Sequence, residues 1–261
     1  MFETAQYETR RRLRGTVILS VALSLYAGFI IWYFDVLEGV DYEAVFQDLP
    51  PAMVEAFGIE ALGTIEGFLG VQIYNFVWLL GLGLYFAYAA GGIIADDIEN
   101  ERLDLLLAFP LSRSRLLLEK FASLLLPLLT LNVVVGAAIY VFVLAIGESV
   151  DPAHLVLAHL LSIPYLLVCA AIGLIFSVVV DRTAVAERAA IGLVFVLYLM
   201  ESVVGGGTDF EWLQYISPTH YYEPTPILLE GTYELLDTGV LLLAFVLLVI
   251  VSQALFQRRD L

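Results

Sequence analysis

Six stretches of this chain are apolar over the length a helix needs to cross a lipid bilayer, and no soluble architecture accommodates so many. A hydrocarbon core about 30 Å thick takes roughly 20 helical residues. The runs Thr16–Phe34, Phe68–Ala95, Phe121–Ile146, Leu155–Val180, Val185–Val204 and Gly239–Leu255 reach or approach that length. Composition agrees, with 61% hydrophobic and 15% charged residues against about 45–50% and about 25% in soluble domains. The surplus apolar surface has to face lipid. None of the runs alternates as a membrane barrel strand would. The first is too long for a signal-peptide core and lacks a small-residue cleavage site, so it is expected to remain as a helix. The fold predicted is all-α, a polytopic membrane protein with six transmembrane helices in one domain.

The placement of charge gives an independent count. The twelve basic residues fall into four clusters: Arg10, Arg11, Arg12 and Arg14; Arg102, Arg113, Arg115 and Lys120; Arg182 and Arg188; Arg258 and Arg259. Two apolar runs separate each cluster from the next. The intervening loops 35–67, 147–154 and 205–238 contain no Lys or Arg. Basic residues in short loops stay on the cytoplasmic side, which predicts an even number of spans and both termini in the cytoplasm, in the cell membrane. Sixteen of the 28 acids lie in those outer loops, so the net charge of −16 faces outward. That surface suits either a salt-adapted exterior or attraction of cations, and it would repel nucleic acid. The single cysteine, Cys169, excludes a disulfide framework.

Three polar segments carry further readings. Residues 1–14 alternate apolar and basic positions and suit a short helix in the headgroup layer or an ordinary positive-inside anchor. Residues 96–120 join the second and third spans and are longer than a turn needs. Asp96, Asp97, Glu99 and Glu101 favour a helix start. Leu103, Leu106 and Leu107 form an apolar stripe, Pro110 stops the helix, and Ser112 or Ser114 can cap the next one. Such a helix could dock in a groove of a soluble partner or rest on the membrane. The loop 205–238 carries Trp212, Tyr215, Tyr221, Tyr222 and Tyr233, an aromatic belt or an outer gate, and residues 222–234 could hold an interfacial helix. Small residues recur every four positions at Gly83, Ala87, Gly91 and Ala95, and at Cys169, Gly173 and Ser177. Such stripes let helices approach closely in lipid, within the chain or between two copies.

The run Asp97-Ile98-Glu99-Asn100-Glu101-Arg102-Leu103-Asp104-Leu105-Leu106-Leu107-Ala108-Phe109-Pro110-Leu111-Ser112-Arg113, followed by Leu116-Leu117-Leu118-Glu119-Lys120, resembles the link between spans two and three of ABC type-2 exporter permeases. The N-terminal basic helix, the segments 217–224 and 228–231, and the terminal residues 256–261 extend the resemblance. In this chain Glu101-Arg102 stands where that family usually has Gly-Thr, and Glu119 stands for the Gly before Lys120. The resemblance implies a membrane subunit whose cytoplasmic ATPase is a separate polypeptide, assembled with a second permease copy or a sister permease. It implies that 98–109 is a coupling helix, with Asp97, Ile98, Glu99, Glu101, Leu103, Leu106, Leu107, Phe109, Pro110 and Arg113 serving the ATPase contact. ATP and Mg would belong to the partner, and this chain would bind no cofactor or metal. Consistently, Lys120 lies in no Gly-Lys-Ser/Thr phosphate loop.

Rival functions rest on fewer residues. An ion-coupled carrier needs ionisable groups at depth, and only Glu201 qualifies, near an outer end; Asn132 reads as a cross-helix hydrogen-bonding group. A membrane-embedded enzyme would draw on His154, His159 and His220, but no His-Glu-x-x-His pattern accompanies them, and they read as interfacial or span-end residues. Ser149 lacks the second glycine of a nucleophile elbow.

Overall fold

The computed structural model describes residues 3–37, 63–103, 112–204 and 211–259. Among them there are helices and no strands, and six helices are long and apolar enough to cross a membrane. Helix α1 is Glu3–Val36. Helix α2 begins as Ile65–Leu69, continues as a π-helix over Gly70–Leu82 and ends as Gly83–Gly91. Next come α3 (Ala95–Glu99), α4 (Arg113–Ala122) and α5 (Leu125–Ala145). Then follow α6 (Pro152–Val179) and α7 (Thr183–Val204), two 3-10 turns at Glu211–Ile216 and Pro218–Tyr221, α8 (Pro224–Glu230) and α9 (Leu235–Arg258).

Helix α6 is the hub. Its most apolar stretch is 78% buried within the chain, against 22% for α1 and α7 and 17% for α9. It lies against α2, α9 and α7. The small-residue stripes make that packing possible. A Cβ on Gly173 would overlap the carbonyl oxygen of Ala87, and one on Gly83 would stand 2.8 Å from the Tyr165 hydroxyl and 3.5 Å from Cys169 Sγ. On the next turn, a Cβ on Gly91 would meet the Glu187 backbone of α7 at 3.0 Å. In this chain the stripes therefore serve packing between its own helices, where contact distance alone drives association.

Two boundaries differ from the sequence reading. The separate interfacial helix expected over 1–14 is absent as an element, because α1 runs unbroken from Glu3 to Val36. At 1.5 Å per residue it is roughly 50 Å long, so its polar first turns extend beyond the hydrocarbon. The apolar run expected to carry span two to Ala95 turns at Gly92–Ile94, and α3 starts afresh. The seryl hydroxyl of Ser177 accepts the backbone N–H groups of Ile94 (2.8 Å) and Ala95 (3.2 Å), partnering two amides that a helix start leaves open.

Candidate functional site

The basic end of the bundle is built around residues 95–103 and 112–123, and every span is fastened to them. Helix α4 starts at Ser112, whose hydroxyl accepts the Arg115 N–H at 3.3 Å, the capping role expected of Ser112 or Ser114. Its last turn presents Lys120, which is buried and ion-paired with the buried Asp97 of α3. Lys120 also reaches Glu8 of α1 at 3.4 Å and the Ile93 carbonyl in the turn that follows α2 at 3.4 Å. Arg12 of α1 donates to Ser123 at 3.1 Å, at the junction leading into α5. Ser177 joins α6 to α3, and Glu99 accepts the Thr183 N–H of α7 at 2.8 Å. Arg113 donates to the Arg259 carbonyl at 2.6 Å and lies 3.4 Å from those of Phe256 and Gln257, neutralising the C-terminal end of α9. Gln257 donates to Ser114 at 2.6 Å. This plate thus contacts α1, α2, α5, α6, α7 and α9 together.

Within the plate the proposed coupling residues have different surroundings. Asp97 and Leu103 are buried, Ile98 is half-buried against the core, and Glu99 and Glu101 are exposed. Leu106, Leu107, Phe109 and Pro110 lie outside the described residues. The expected helix 98–109 does not start at Ile98: α3 ends at Glu99 and the chain reverses before resuming helical geometry at Leu103. The reversal has a defined form. Arg102 N–H bonds the Asp97 carbonyl at 2.8 Å, Glu101 N–H bonds that of Ile98 at 3.0 Å, and Glu101 has φ 53°. These are the two bonds and the left-handed residue of a Schellman termination, a position that favours glycine. Arg102 then folds back onto the carboxylates of Asp96 and, at 3.5 Å, Asp97. Replacing Glu101 by Gly is expected to raise stability by about 0.5–1 kcal/mol, read as a higher midpoint of thermal unfolding in detergent.

A second polar centre lies inside the bundle, and sequence reasoning missed it. His159 is buried on α6 rather than sitting at a span end. Its Nε2 is 2.9 Å from the Tyr74 hydroxyl and its Nδ1 is 3.2 Å from Asn132 Oδ1. Trp78 Nε1 donates to Ser162 Oγ at 3.1 Å, and Ser162 lies 3.0 Å from the same Asn132 oxygen. Asn132 donates its amide to the Leu128 carbonyl at 2.8 Å. One assignment satisfies the whole set: Tyr74 donates to Nε2, and Nδ1–H donates to Asn132, with the imidazole neutral. The π-helical stretch brings Tyr74 and Trp78 onto the imidazole, with ring centroids 5.5 and 4.8 Å away. Gly136 leaves the space, since a Cβ there would come within 2.8 Å of His159. The signal in the sequence was two polar residues, Asn132 and His159, on adjoining spans.

At the acidic end, α8 and the start of α9 frame a cavity of about 560 Å³ whose lining includes Tyr215, Tyr221, Tyr233, Glu223, Glu234 and Asp237. The interfacial helix expected within 222–234 is α8. Desolvation lifts the Glu223 carboxyl above the usual range; His220 opposes this, while Glu201, Asp237 and Glu234 add to it. Glu201 pairs with His220 at 3.1 Å, so the one ionisable group expected at depth ties α7 to the 3-10 turn Pro218–Tyr221. His154 Nδ1 lies 3.2 Å from the Leu228 carbonyl. Among the described residues no group of three or more His, Cys, Asp or Glu could hold a metal ion.

Residues 7–261 match the family described as ABC-2 family transporter protein. No curated protein matches the chain.

Proposed function

The chain belongs to the ABC-2 transporter family, and from that premise we propose that it is the permease subunit of an exporter driven by ATP hydrolysed on a separate cytoplasmic subunit. The supporting observation is the plate made of residues 95–103 and 112–123, which fastens all six spans at one end through Lys120, Ser123, Ser177, Glu99 and Arg113. A permease needs such a part: an outside force applied at one surface has to reach every helix lining the path. In this reading the segment between Leu103 and Ser112 meets the ATPase, with Leu106 and Leu107 filling its groove and Glu99, Glu101 and Arg113 at the rim. Asp97 positions the segment by its ion pair with Lys120. A second permease chain, identical or sister, completes the path, and both termini face the cytoplasm of the cell.

The ion-coupled carrier reading has one physical foothold, the buried His159. That network is closed with a neutral imidazole, each ring nitrogen already having a partner in Tyr74 or Asn132. The test is to purify the chain with candidate ATPases and introduce Leu106→Asp or Leu107→Asp. Loss of ATPase retention and of ATP-dependent transport in proteoliposomes is expected. Full retention and coupling would remove the coupling assignment, and transport driven by an ion gradient without any ATPase would establish the carrier.

A further inference from the structure

At the basic end, a cavity of about 430 Å³ opens where α1, α2 and α7 meet. Its lining carries three cations, Arg11, Arg12 and Lys120, and three carboxylates, Glu8, Asp96 and Glu187. The partners decide its character. Lys120 is engaged by Asp97 and Glu8. Asp96 is engaged by Arg102 and by the Asn100 amide at 2.9 Å, and Glu187 accepts the Tyr88 hydroxyl. Arg12 is half-buried and donates through Nε to Ser123 at 3.1 Å, with the Glu8 carboxylate acting on it at longer range. Among the described residues, no carboxylate comes within ion-pair distance of Arg11 or Arg12. Of the lining groups left without an ion pair among the described residues, Arg11 and Arg12 outnumber Glu187, so the balance is positive and carried by two guanidinium forks, the chemistry that recognises a phosphate.

Its depth identifies the source. Arg11 and Arg12 stand just before the apolar run that begins at Thr16, Lys120 just before the one that begins at Phe121, and Thr183 at the start of α7. The cavity thus lies at the membrane boundary. Tyr88 in its wall is 45% exposed, and Val17 and Val21, further along α1, are 50% and 53% exposed, leaving apolar surface beside it for acyl chains. We propose that this cavity seats the phosphate of a phospholipid from the leaflet at the basic end, clamped by Arg11 and Arg12. The site is independent of whether an ATPase docks below it.

Native mass spectrometry of the full-length chain, released from nanodiscs of phosphatidylethanolamine and phosphatidylglycerol, tests this. Bound phospholipid is expected to survive detergent exchange on the unaltered chain, and retention is expected to fall at least fivefold in Arg12→Gln and in Arg11→Gln. Arg11 is exposed, so its variant separates lost binding from lost fold, and circular dichroism checks the helix content of both. In a second arm, millimolar inorganic phosphate is expected neither to bind nor to displace the lipid. Equal lipid retention in folded Arg11→Gln and Arg12→Gln would overturn the site, and arginine-dependent binding of inorganic phosphate without lipid would overturn its assignment to the bilayer.

Discussion

Substituting leucine for Gly173 is expected to leave no stably folded chain, at a cost of about 3 kcal/mol or more. Gly173 is where α6 and α2 cross most closely. A single carbon added there overlaps the carbonyl oxygen of Ala87 and comes within 3.0 Å of the Ala90 side chain. The obstacle is backbone, so no rotamer change relieves it, and the helices have to separate. Separation would draw Ser177, one turn along, away from Ile94 and Ala95, so the start of α3 would lose its partner as well. Size-exclusion chromatography and thermal unfolding in detergent read the effect, with Gly173→Ala giving an intermediate loss. Gly192→Leu is the internal comparison: nothing lies within 4 Å of a Cβ at Gly192, and stability should change by less than about 0.5 kcal/mol. Equal tolerance at the two positions would show that the crossing is not close.

The second large effect concerns Lys120. Lys120→Met removes the cation that bonds both Asp97 and Glu8, in a place where the lysine and the aspartate are almost inaccessible to water. Removing one partner of a buried pair typically costs about 3–5 kcal/mol, and because Arg102 stays 3.5 Å from Asp97 the lower end of that range is expected. For a chain of this size that is a fall in unfolding temperature of roughly 10 °C. Removing the opposing carboxylate too, in Lys120→Met with Asp97→Leu, should recover a large share of the loss. The non-additivity of the cycle then measures the pair, and purely additive losses would mean that the pair does not hold α3 to α4. Recovery of stability without recovery of the proposed ATP-driven transport would separate the pair's role in folding from the coupling role proposed for it.

The spans were readable because lipid imposes a length and translocation penalises arginine, two constraints that act on local sequence. Long-range partners are not local, and there the sequence underdetermined the site. Lys120 could be placed at a membrane boundary, but its burial depends on Glu8, 112 residues away in the chain, and on a turn that aims Asp97 inward. The replacement of Gly-Thr by Glu101-Arg102 was visible as a departure. Its meaning, a left-handed residue closing α3, follows only from the hydrogen bonds of Glu101 and Arg102. His159 was misread because its position, about two turns into α6, suggested a wetted end, whereas Tyr74 and Asn132 enclose it. The small-residue stripes were the reverse case: their spacing was plain, and the structure supplies the facing elements, Gly173 against Ala87 and Gly91 against α7.

The π-helical stretch of α2 has a mechanical implication. With each amide reaching five residues back instead of four, Gly70–Leu82 coils thirteen residues into a shorter, wider spiral than ordinary helix would make of them. Paid out into α-helical form at 1.5 Å per residue, the same residues would elongate the rod and twist its lower half. The chain therefore carries slack inside its second crossing, held in check by the side chains that Tyr74 and Trp78 lock onto α6.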